Sequence, residues 1–282
     1  MNTTVGLTGV LGIWLTMAMM PLAELLAIAP LQATLLRGLP GVIAIGFVAL
    51  FKKNLITSPD RPTLAIAFFF SIATLCLFQG IMTWGSNYSA LFLDMAVMVP
   101  IYLAWRRKQE IDTTTRLAFI MAIIGTMIAL RVLHGGEFIL EGFLWSTAAL
   151  ISNGFFIEYA GKATQTKSNR VFWMSLGLVL VGIVSILDFK IDESLYISQT
   201  SWIILSILFA VTTGIINFYS GFMVFDNFKP IYAGIFILGV TPSIMLSSYL
   251  IIDRTMGADQ LAGVTITLGA TFLFGKFLNN KK

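Results

Sequence analysis

Glu24, Arg37, Asp94 and Glu158 are ionisable residues set inside long apolar stretches of the chain. A charged group at bilayer depth costs several kcal/mol unless it is paired or hydrated, so each is a candidate for binding or proton work. Arg37 and Asp94 each lie about six residues from the end of an apolar segment, a depth of about 9 Å at the helical rise. Glu24 lies roughly four turns into the first segment. The three are therefore expected to form one layer. Two readings are open: Glu24 or Asp94 holds a cationic group or a coupling proton while Arg37 holds the other acid or a carboxylate ligand, or an acid and Arg37 simply satisfy each other. Glu158 precedes Lys162 by one turn, which favours an ion pair reaching the membrane interface.

Amides and aromatic rings extend this set. Trp14, Gln79, Trp84, Asn153, Tyr159, Asn217 and Tyr219 all fall in apolar segments. A buried amide must find hydrogen-bond partners, and an aromatic face attracts cations. Trp84 and Tyr159 lie near segment ends, where interfacial belts also collect such rings. Pro21, Pro100 and Pro242 interrupt helices, and the carbonyls they free either hinge a gate or face a cavity. The glycines Gly214, Gly221, Gly234, Gly239, Gly263 and Gly269 suit close helix packing.

The elements that must position these residues are set by composition. The chain has 282 residues, of which 57% are hydrophobic and 11% charged, against about 45–50% and about 25% in soluble domains. Its mean hydropathy is +0.87. Ten segments approach the length of about 20 apolar residues needed to cross a bilayer: 6–28, 31–50, 64–84, 88–105, 116–133, 142–161, 171–188, 202–222, 230–251 and 260–278. Alternate connections divide by charge. One set carries Lys52, Lys53 and Arg61, then Arg106, Arg107, Lys108 and Arg116, then Lys162, Lys167 and Arg170, then Lys229, then Lys276, Lys281 and Lys282. The other carries only Arg131, Lys190 and Arg254, together with most of the loop acids: Glu137, Glu141, Asp188, Asp192, Glu193, Asp253 and Asp259. Basic residues resist translocation, so both termini are expected in the cytoplasm of a multi-pass cell-membrane (inner-membrane) protein. Adding or losing one span would mix the two loop populations.

The stretch from Pro100 to Leu130 resembles that from Pro242 to Leu273, with Glu110 near the place of Asp253 and Gly125–Thr126 near that of Gly269–Ala270. Asp94 then answers to Phe236, an asymmetry that suggests specialisation. The copies are five helices apart, and an odd offset inverts one half against the other, a plan that places a site at mid-membrane between them. The expected fold is thus all-α, ten transmembrane helices in two inverted five-helix repeats, 1–135 and 136–282.

On these residues the chain resembles the drug/metabolite transporter (DMT) superfamily, in its ten-helix EamA-like branch. Pro30-Leu31-Gln32-Ala33-Thr34-Leu35-Leu36-Arg37 is similar to the entry of that family's second helix, and the two proline-to-glycine stretches to its fourth–fifth and ninth–tenth pairs. The Trp-Gly pair common in the family's first helix is absent; Trp14 stands there alone. The resemblance implies secondary transport of a small polar metabolite by alternating access, driven by protons, exchange or a gradient. Amino acids or related zwitterions are the first expectation, because the layer of Glu24, Arg37 and Asp94 offers both charge signs. Organic cations or quaternary amines are the second.

Other classes fit poorly. His134 is the one histidine, Cys76 the one cysteine, and no His-Glu-x-x-His, Gly-x-Ser-x-Gly or Gly-Lys-Ser/Thr pattern occurs, so neither a membrane enzyme nor an ATP-driven pump is expected. A channel is a remote reading. No cofactor or metal is expected. The net charge of +4 comes in short clusters rather than the continuous stripe of a nucleic-acid binder. Expected partners are a small-molecule substrate, the lipid bilayer and protons or a counter-substrate, in a monomer or homodimer.

Overall fold

The computed structural model describes residues 2–129, 139–188, 198–251 and 257–280. Arg131, His134, Glu137, Lys190, Asp192, Glu193, Asp253 and Arg254, singled out above, lie outside them. Among the described residues the protein is helical throughout, with no strand.

The helices are α1 (Thr3–Met17), α2 (Pro21–Leu25), α3 (Pro30–Phe51), α4 (Arg61–Trp84), α5 (Ser86–Met95), α6 (Met98–Arg106) and α7 (Thr113–Ala129). After them come α8 (Leu140–Ala160), α9 (Lys167–Gly182), α10 (Gln199–Val211), α11 (Asn217–Asn227), α12 (Pro230–Ile237), α13 (Val240–Ile251) and α14 (Ala258–Asn280). Taking α1 with α2, α9 with the following turn, α10 with α11, and α12 with α13, six rods among the described residues are long and apolar enough to cross a membrane, α3 and α4 being the other two. Helices α7 and α14 are apolar over shorter lengths.

Start signals are local. Prolines at 21, 30 and 230 open α2, α3 and α12, where the missing N–H would be unpaired anyway. Asn2, Asp60, Thr166 and Ser198 cap α1, α4, α9 and α10 with their side-chain oxygens. Gly85 alone joins α4 to α5, at a φ of 95° that a side chain rarely tolerates.

Two interruptions share one cause. Helix α5 gives way to α6 at Ala96–Val97, and α12 to α13 at Leu238–Gly239. Pro100 and Pro242 sit in the first turn after each break, where the ring excludes the carbonyl four residues back, that of Ala96 or Leu238. The surrounding bonds match as well: Ala96 N donates to Leu93 O and Leu238 N to Ile235 O, both at 3.2 Å, while Ile101 N donates to Val97 O and Ser243 N to Gly239 O. Neighbouring helices cover both breaks. Gly154 of α8 lies against Val99 and the Ala96 carbonyl, and the Trp14 ring of α1 lies on Gly239.

A third irregularity joins α10 to α11. Residues Thr212–Ile216 form a π-helical turn in which Gly214 leaves helical geometry, with φ −88° and ψ −107°. A Cβ on Gly214 would meet the Arg37 carbonyl of α3 at 2.4 Å, so glycine is required for that close approach.

Packing pairs α4 with α8, α7 with α14, α3 with α9 and α1 with α11 most closely. At the α7–α14 crossing Gly125 and Gly263 face each other's carbonyls, and Thr126 meets Thr267 through their hydroxyls at 3.3 Å. Of the two α14 glycines expected to pack, Gly263 does so here, whereas Gly269 has open space beside it. The sequence shows that a glycine is present, whereas the crossing is set by which helical face turns inward.

The surface is inverted relative to a soluble protein. Leu15, Leu50 and Leu250 are 71%, 79% and 79% exposed, while Asp94 and Arg37 are 0% and 2% exposed. Such a chain needs an apolar surrounding, and it is compatible with a multi-pass membrane protein. The basic connections meet at one end: Gln165 Nε2 donates to Ser58 O, Thr164 Oγ1 to Asp60 Oδ2, and Asn2 N to Asn227 Oδ1.

A central cavity around Arg37

Midway along the helices lies a cavity of about 70 Å³ bounded by α1, α3, α4, α5, α8, α9, α11, α12 and α13. Its polar lining is Arg37, Thr74, Asn153 and Asn217. The remainder is apolar and rich in rings: Phe70 of α4, Phe156 of α8, and Phe218, Phe222 and Phe225 of α11.

Arg37 is held by the irregular helix opposite it. Its Nε donates to the Thr213 carbonyl at 3.1 Å, one of the acceptors that a π turn leaves for a side chain. Its guanidinium carbon lies 5.4, 5.9 and 5.6 Å from the ring centres of Phe70, Phe78 and Phe218, within cation–π range. Among the described residues no carboxylate pairs with it. Asn217 accepts a 2.9 Å hydrogen bond from Thr16 Oγ1 of α1, tying α11 to α1 at the cavity wall. Asn153 is 5% exposed.

Of the residues chosen from sequence, the structure brings Arg37, Asn153 and Asn217 together at this cavity and places the others elsewhere. Asp94 is fully buried on α5; the polar groups facing it are the hydroxyls of Thr241 and Thr126 and the Thr241 backbone N–H. Glu24 is half-buried on α2. Glu24 and Asp94 therefore do not join Arg37 at the cavity wall, because shared depth leaves open which face of each helix the residue occupies. Trp14 is half-buried and braces the α12–α13 break, its Nε1 donating to Phe236 O at 2.8 Å. Trp84 packs tilted against Phe92 and edge-on to Phe143, and the Gln79 backbone carbonyl accepts from Thr83.

Tyr159 stacks on Phe69 with Lys162 over its face, and the Tyr219 hydroxyl meets Ser168. Pro100 and Pro242 are buried at the two breaks.

Toward the basic end, Glu158 binds both Arg107, at 2.6 Å, and Lys162, at 2.7 Å. The Lys162 pair is the one its spacing predicts; Arg107, from the end of α6, was not foreseen. Arg170 of α9 pairs with Asp226 of α11 at 2.6 Å and lies 4.4 Å above the Phe222 ring. Phe222 is a cavity wall, so this pair backs that wall from behind. A second, wider space of about 500 Å³ opens at that end beside Arg107, Glu158, Lys162, Asp112, Lys229 and Tyr232.

The ring lining was the main omission from sequence. Phe218, Phe222 and Phe225 recur at i, i+4 and i+7 with Gly221 between them, a one-faced helical stripe that periodicity makes visible. Phe70 and Phe156 carry no comparable signal.

No protein-family model and no curated protein matches the chain. A solved crystal structure, whose name states no function, shares the fold: it superposes with a TM-score of 0.75 at 16% identity, over 99% of this chain and 100% of its own.

Proposed function

We propose that the protein is a secondary transporter of a small polar metabolite, working by alternating access around the Arg37 cavity in the cell membrane. One observation carries this reading: a mid-depth cavity that combines a buried cation and two amides with aromatic walls, bounded by helices from both halves of the chain. Broken helices beside it supply the hinges such a cycle needs. The matched breaks at Pro100 and Pro242, and the mutual packing of α1 with α11 and α4 with α8, support ten spans in two inverted halves. They support the DMT, EamA-like resemblance too, with both termini on the cytoplasmic side.

Amino acids are the first substrate class to test. Arg37 suits their carboxylate, and the aromatic walls suit an apolar side chain. Organic cations are the weaker candidate, because among the described residues no acid lines the cavity. The test is radiolabelled counterflow in proteoliposomes over a metabolite panel with imposed pH gradients. Saturable accumulation of label against unlabelled internal solute is expected. Flux that is unsaturable, and the same without internal solute, would sink the transporter reading in favour of a channel.

A further inference from the structure

We propose that the central cavity recognises a monocarboxylate: Arg37 takes the carboxylate of a small molecule, the rings around it take an apolar remainder, and an ammonium group is dispensable. This rests on the transport reading above and names the substrate chemistry of the same site.

Of the two buried cations among the described residues, Arg37 is the one whose counter-charge the protein does not supply. Arg170 has Asp226, and Arg107 and Lys162 share Glu158. Arg37 is as buried as Arg170, yet its hydrogen bond goes to a neutral carbonyl. The three phenyl rings steady the guanidinium without cancelling its charge. A buried ion left without a counter-ion is costly, and the cavity beside it offers three neutral polar side chains, Thr74, Asn153 and Asn217, among apolar walls.

Charge balance selects the ligand. One guanidinium neutralises one negative charge, and its planar fork matches a carboxylate. A phosphate dianion would leave a net charge in a low-dielectric site with only Thr74, Asn153 and Asn217 to help. An ammonium group finds little there. Asn217 Oδ1 already accepts from Thr16, and Glu24 and Asp94 are not at the wall. Phe156, Phe218, Phe222 and Phe225 favour an apolar tail.

The experiment compares three ligands with one tail on the purified full-length protein: leucine, its α-keto acid and leucinamide, with inorganic phosphate as a fourth probe. Affinity is read by calorimetry or thermal shift for wild type, Arg37→Lys and Arg37→Gln, and counterflow is run in vesicles with the same solutes. The keto acid and leucine are expected to bind wild type at least about tenfold more tightly than leucinamide, the scale of one charge-assisted hydrogen bond. Arg37→Gln is expected to lose that preference, and Arg37→Lys to keep part of it. A purely structural role would weaken all three ligands alike in both variants, which overturns the proposal. Phosphate stabilising the protein as well as the keto acid, or leucinamide binding as well as leucine, overturns it too. Should Arg37→Gln fail to fold, the wild-type ligand order and Arg37→Lys decide. Leucinamide counterflow unaffected by Arg37→Lys would leave transport standing and remove the carboxylate site. Keto-acid binding lost in Arg37→Gln with no solute counterflow would keep the site and remove transport.

Discussion

At the residue scale, two aspartates show how position decides what a carboxyl does. Asp60 caps α4 outside the apolar segments. Burial pushes its carboxyl pKa up, but hydrogen bonds from Thr63 and Thr164 outweigh this and hold it below the ordinary carboxylate value. The ionised form is thus favoured in the folded state. Its stabilisation is present at pH above the unfolded carboxyl value of about 3.9 and is lost as pH falls through the folded value. Melting curves of wild type and Asp60→Asn are expected to differ at neutral pH and to converge only as pH falls below the folded carboxyl's value, itself under about 3.9; a constant difference would deny the cap its charge. Asp94, by contrast, is buried among threonine hydroxyls away from the cavity. Asp94→Asn is expected to leave ligand affinity within about twofold of wild type, as for sites without shared partners, checked by thermal shift. A larger loss would return Asp94 to the binding site. Sequence marked both Arg37 and Asp94 as conspicuous, since a charge in an apolar run is visible in one dimension. That they part company is a matter of helix rotation.

At the scale of elements, prolines and glycines divide the work. Pro100 and Pro242 interrupt α5–α6 and α12–α13 at matching places, and this was legible because proline acts on the carbonyl four residues back wherever it sits. Glycine packing was legible as a kind of contact and not as a register. Gly263→Leu is expected to destabilise the α7–α14 crossing by about 1–3 kcal/mol, the usual cost of forcing volume into a packed interface. Gly269→Leu, with open space beside it, is expected to change stability by less than about 0.5 kcal/mol. Denaturation in detergent distinguishes them, and equal losses would mean that Gly269 is the packed glycine.

For the whole molecule, the basic end carries two sets of ion pairs, Arg170–Asp226 and Glu158 between Arg107 and Lys162. Asp226→Asn leaves Arg170 buried beside Phe222 without its acid and is expected to cost about 1–3 kcal/mol, discounted from a fully buried pair because Asp226 is partly exposed. In a Cys76→Ala background carrying Thr74→Cys, removing Asp226 and Glu158 together is expected to speed thiol labelling from the basic side of oriented vesicles. Unchanged labelling would show that these pairs do not close the cavity. The sequence by itself determined the all-helical, lipid-embedded character, the clustering of basic connections and the positions of the breaks, because hydropathy, charge and proline act over a few residues. Only the tertiary structure decided which of the intramembrane charges share a cavity. Arg37 was turned toward three phenyl rings and the π turn of another helix, and Asp94 toward threonines. Helix rotation and crossing depend on side chains far apart along the chain, and a list of residues carries no angle between them.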